Sequence, residues 1–70
     1  MEESAKKAVK IANKIAKLSK QMKEYIERGY TSDATETAYE INILLRELDR
    51  IVTRIMYAWH KEASPLAINH

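Results

Sequence analysis

The chain has no cysteine and no phenylalanine, and its 70 residues include one glycine (Gly29), one proline (Pro65), one tryptophan (Trp59) and two histidines (His60 and His70). Each scarcity removes a class of protein. Without cysteine there is no disulfide and no cysteine-type zinc or iron–sulfur site. One glycine cannot build a phosphate-cradling loop. Two histidines near the C-terminus leave any metal to carboxylates. The spacing of Glu followed three residues later by His, which marks di-iron four-helix bundles, does not occur. No apolar run approaches the ~18 residues that span a bilayer, and Glu2 and Glu3 stand where a secretory signal would carry basic residues. The chain is therefore expected to be soluble, and cytoplasmic where a cell makes it.

What is present is helical periodicity on both sides of Gly29. Ala8, Ile11, Ile15, Leu18, Met22 and Tyr25 recur in steps of three and four, a narrow stripe on one helix face. Ala5, Ala12, Ala16 and Ile26 flank it, and the alanines allow a neighbouring helix to come close. A second stripe reads Ala34, Ala38, Ile41, Leu45, Leu48, Val52, Ile55 and Trp59, with a further apolar column, Thr37, Leu44, Ile51 and Ala58, beside it. From Ile41 onward the apolar arc exceeds 100°, the breadth of a helix with more than one neighbour.

The punctuation places the elements. The first helix is expected over about 3–28, opened by acidic residues and closed by Arg28 and Gly29. The turn is expected over 29–33. Asp33 followed by Glu36 has the form of a capping box, with Thr31 and Ser32 as alternative caps. The second helix is expected over about 34–63, ended by Ser64 and Pro65, with a tail over 64–70. So short a connection makes the helices antiparallel neighbours.

Seventy residues bury only about 60% of the surface of the unfolded chain, and ordering them costs roughly 100 kcal/mol. With disulfides excluded and a metal poorly supplied, association is the remaining route to stability. The fold class predicted is all-α: an antiparallel two-helix hairpin that completes a four-helix or larger bundle by homo-oligomerisation, most simply as a dimer. Ile41, Leu44, Leu45, Leu48, Ile51, Val52, Ile55 and Trp59 are the expected oligomer interface.

Chemistry is scarce. The seams contain no pair of titratable groups for acid–base catalysis, and His60 falls on the outer side of its helix. No catalytic, cofactor-binding or metal-ligating residue is assigned. Lys6, Lys7, Lys10, Lys14, Lys17, Lys20 and Lys23 form a basic run with no acidic residue between Ser4 and Lys23. That run suits an anion- or nucleic-acid-binding module. The net charge of only +2, the absence of interleaved aromatics and the acidic residues on the second helix favour a solvated face. Expected partners are therefore further copies of the chain, with no nucleic acid, membrane or small molecule. Tyr39, Asn42, Arg46, Asp49 and Thr53 make a polar line beside the second core, the rim expected of a helix interface.

Two resemblances follow from these residues. Leu45, Arg46, Glu47, Leu48 and Asp49, after a glycine-containing turn, faintly resemble the Ser-Gln-Glu-Leu-Asp motif of the helical-hairpin aspartyl-phosphate phosphatases that regulate sporulation. Leu45 and Arg46 replace the Ser and Gln, so the resemblance carries over only Glu47 and Asp49. It implies a small regulatory binding hairpin. Across its whole length, with lysine- and alanine-rich helices and single Gly and Pro at the breaks, the chain resembles de novo designed helical hairpins made to assemble with themselves. That implies a structural protein with no catalytic activity.

Overall fold

The computed structural model describes residues 2–68, with side chains described for residues 3–61. Two helices, α1 (Glu2–Glu27) and α2 (Thr31–Ile68), pack along each other as an antiparallel hairpin.

The turn explains the chain reversal. Gly29 takes φ +80°, a conformation costly for any residue with a Cβ. Its amide donates to the Ile26 carbonyl at 3.1 Å, and the Tyr30 amide donates to the Tyr25 carbonyl at 2.8 Å. These paired bonds are those of a Schellman turn, and they satisfy carbonyls that a helix end leaves without partners. The Tyr25 and Tyr30 rings, 6.3 Å apart, supply the apolar contact that accompanies the motif.

The connection is three residues, 28–30, rather than the expected 29–33. The Tyr30 carbonyl accepts the Ala34 amide at 3.0 Å, so α2 starts at Thr31 and Asp33 sits inside its first turn. A capping box needs Asp33 ahead of the helix, and the early start removes that geometry. The Asp33 carboxylate instead favours the positive end of the helix dipole. Thr35 and Thr37 donate their hydroxyls to the carbonyls of Thr31 and Asp33, each at 2.8 Å. At its other end α2 runs through Ser64 and Pro65 to Ile68, beyond the expected stop near Ala63. Proline's fixed φ is itself helical, so the backbone can continue. The cost falls on the Lys61 carbonyl, which loses its N–H partner. Residues 69–70 of the expected tail lie outside the described residues.

On α1 the seam is Ser4, Ala8, Ile11, Ile15, Leu18, Met22 and Tyr25, and on α2 it is Ala34, Thr37, Ile41, Leu44, Leu48, Ile51, Ile55 and Ala58, all buried or half-buried. Both run in alternating steps of three and four. Matched in antiparallel order, the two series of covered residues pair with numbers summing to 59, as for Leu18 with Ile41 and Ile11 with Leu48. The α1 stripe is the expected one. On α2 the roles of the two outer columns are exchanged: Thr37, Leu44, Ile51 and Ala58 turn to α1, and Leu45, Val52 and Trp59 turn away.

The hairpin measures 55 × 24 × 14 Å with a radius of gyration of 16.9 Å, against about 11 Å for a compact domain of this length. It is a slab one helix thick. Among the described residues no side chain is less than 2% exposed, and the core is Ile11, Ala34, Ile41 and Ile51 with Thr37 between them.

Candidate self-association surface

The two helices give the slab two unlike faces. In an antiparallel pair, the columns that flank the seam on equivalent sides of each helix come out on the same face of the pair. On one face α1 presents Ala5, Val9, Ala12, Ala16, Ser19 and Ile26, and α2 presents Leu45, Val52, Met56 and Trp59. All are exposed except the half-buried Ser19. Trp59 is 64% exposed and Leu45 45%. Ala38, half-buried, starts the α2 column near the turn. Ser19, Lys23, Thr35, Asn42 and Asp49 are polar residues of this face.

The opposite face carries Lys7, Lys10, Lys14 and Lys17 of α1 beside Glu36, Glu40, Glu47, Arg50 and Arg54 of α2, with Ile43 and Tyr57 exposed among them. Lys6, Lys7 and Lys10 share a shallow recess there with Glu3, Ser4, Ile51 and Arg54, which places the flanking columns of the two helices on one side as the geometry requires. Lys14 and Glu47 fall on this face within two residues of level, and surface charges so placed contribute at most about 1 kcal/mol.

Charge is also divided along the length. Between Leu18 and Leu45, around the turn, Lys20, Lys23 and Arg28 stand against Glu24, Glu27, Asp33, Glu36 and Glu40, a net of −2. The whole chain is +2, so the open end carries +4.

Of the eight residues expected at an oligomer interface, Ile41 and Ile51 are buried and Leu44, Leu48 and Ile55 half-buried against α1 of the same chain, while Leu45, Val52 and Trp59 face solvent. The residue missed in the sequence is Val9, 59% exposed. Its signal was a second column of alternating steps, Ala5, Val9, Ala12 and Ala16, beside the α1 stripe.

Groups with possible chemistry do not converge. Glu47 is half-buried at the edge of the charged face and Asp49 exposed on the apolar one, two residues and roughly 200° apart around α2. His60 is exposed, edge-on to the Trp59 ring at 5.7 Å. Tyr39, Asn42, Arg46, Asp49 and Thr53 are all exposed. Among the described residues no three His, Asp or Glu side chains gather into a metal-binding group, and no helix is long and apolar enough to cross a membrane. No protein-family model, curated protein or solved structure matches the chain.

Proposed function

We propose that the protein is a structural, self-associating helical hairpin without catalytic activity, whose apolar face closes against another copy of itself. The observation that carries this is surface. The chain exposes 6055 Å², against about 4,500 Å² for a compact monomer of 8.1 kDa. The surplus of roughly 1,500 Å² per chain is about twice what each partner loses in a dimer of standard size. One face gathers the exposed Val9, Leu45, Val52, Met56 and Trp59, and contiguous exposed apolar patches mark interaction sites. The half-buried Leu48 and Ile55, whose column borders that face, complete their burial when it is covered. Four helices around one core are the simplest product. The rule-following composition supports an origin by design.

Sedimentation equilibrium from ~1 to ~200 μM tests the reading. Association above ~10 μM, with a melting temperature that rises with concentration, is expected. A well-folded 8 kDa monomer throughout that range refutes it.

A second reading has one observation in its favour, the recess ringed by Lys6, Lys7, Lys10 and Arg54 at the +4 end. It makes the charged face an anion-binding surface. Binding to duplex DNA or acidic vesicles that weakens with salt is its signature, and no binding at ~50 mM salt ends it.

A further inference from the structure

Resting on the self-association reading, we propose that the second copy docks on the apolar face with its turn at the opposite end. The twofold axis then runs perpendicular to the helices and crosses the face between Leu45 and Val52. The alternative face-to-face dimer, with its axis along the helices, places both turns at the same end. Three features of the hairpin select the first arrangement.

The first is charge. The proposed axis divides each chain at residues 10/11 and 48/49 into a turn half of net 0 and an open half of net +2. With turns together, the two +2 halves lie side by side; with turns opposed, each lies against a neutral half, and that repulsion is removed.

The second is length. α2 has 38 residues and α1 has 26. With numbers summing to 59 across the seam, α2 extends past the start of α1 from about Ala58, a helical overhang. An antiparallel α2–α2 pair lays that overhang along the partner's turn end. With turns together the two overhangs project side by side from one end of the bundle.

The third is fit. An axis midway between Leu45 and Val52 brings Ala38 opposite the partner's Trp59 and Leu45 opposite the partner's Val52. The largest side chain of the face thus meets the smallest of the column. On α1 the same axis falls midway between Lys10 and Ile11, because the register sums to 59. Ala5 then lies opposite the partner's Ala16, and Val9 opposite the partner's Ala12. These small residues let the two α1 helices approach closely, so the bundle is narrow along α1 and wide along α2. The α1 alanines thereby become part of the interface.

Because the chain lacks cysteine, a single Ser32→Cys change in the first turn of α2 accepts one spin label per copy without disturbing either face. At ~1.5 Å per residue the two labelled sites lie about 50 Å apart with turns opposed and under about 25 Å with turns together. Sedimentation of the same sample separates the two levels of the claim. A dimer with a distance near 50 Å is the expected result. A dimer with a short distance, or a larger complex, overturns this arrangement while leaving self-association standing. A monomer overturns both, and assigns the face to a different partner. Asp49→Asn gives a second readout: Asp49 lies within one residue of the proposed axis, where its carboxylate approaches the partner's, so the variant associates about two- to fivefold more tightly. Unchanged or weaker association overturns the arrangement.

Discussion

Trp59→Ala probes the interface where the hairpin itself has least to lose. Trp59 is 64% exposed and lies level with the very start of α1, so within one chain it packs against little. Truncating it is expected to leave the isolated hairpin within about 0.5 kcal/mol of wild type, as for other surface changes, with alanine's helix propensity in its favour. The dimer is different. An aromatic side chain of this kind buries roughly 150–250 Å² when covered, so about 130 Å² remains for a partner to remove from water. At ~25 cal/mol per Å² that is about 3 kcal/mol per copy. A symmetric dimer contains the contact twice, so full coverage predicts a loss near 6 kcal/mol, or about four decades in Kd, and half coverage about two decades. Sedimentation equilibrium of both proteins measures this directly. In the wild type, the sole tryptophan reports the same event through a blue shift of its emission as concentration rises. A Kd for Trp59→Ala within threefold of wild type would refute the reasoning, because the largest exposed apolar side chain of the face would then lie outside the contact.

Other outcomes follow from the seam, the turn and the charged face. Ile11→Ala, at a position 8% exposed and level with Leu48, should cost about 2–4 kcal/mol per chain by denaturant unfolding at fixed concentration. Gly29→Ala should cost about 1 kcal/mol in the same assay: a Cβ there meets nothing within 4 Å, so the left-handed φ alone sets the penalty. A cost near zero would mean that the turn relaxes to another geometry. Lys7→Glu exchanges a cation for an anion beside Arg54 in the shared recess. It should raise stability by a few tenths of a kcal/mol at low ionic strength, an effect that ~1 M salt removes in thermal melts.

The two helices, their break and their approximate lengths were legible in the residues because each depends on local physics. A period of three and four residues makes one apolar face whatever lies against it. Gly29 after Arg28 stops a helix through its own backbone freedom, and the excess of apolar columns on α2 over α1 could be counted before any packing was known. The exchange of roles between Leu44 and Leu45, and between Ile51 and Val52, was not legible. Neighbours on a helix are only 100° apart, and when both are apolar the pattern fits either rotation. The paired bonds from Gly29 to Ile26 and from Tyr30 to Tyr25 set the angle at which the chain enters α2, and so which column meets α1. The same shortened turn starts α2 at Thr31 and goes with a facing register whose residue numbers sum to 59. That a surplus of apolar surface would remain could be read from composition and periodicity. Which side chains carry it, and that they share one face with the alanines of α1, followed from the rotation of one helix against the other, a long-range property that no single segment encodes.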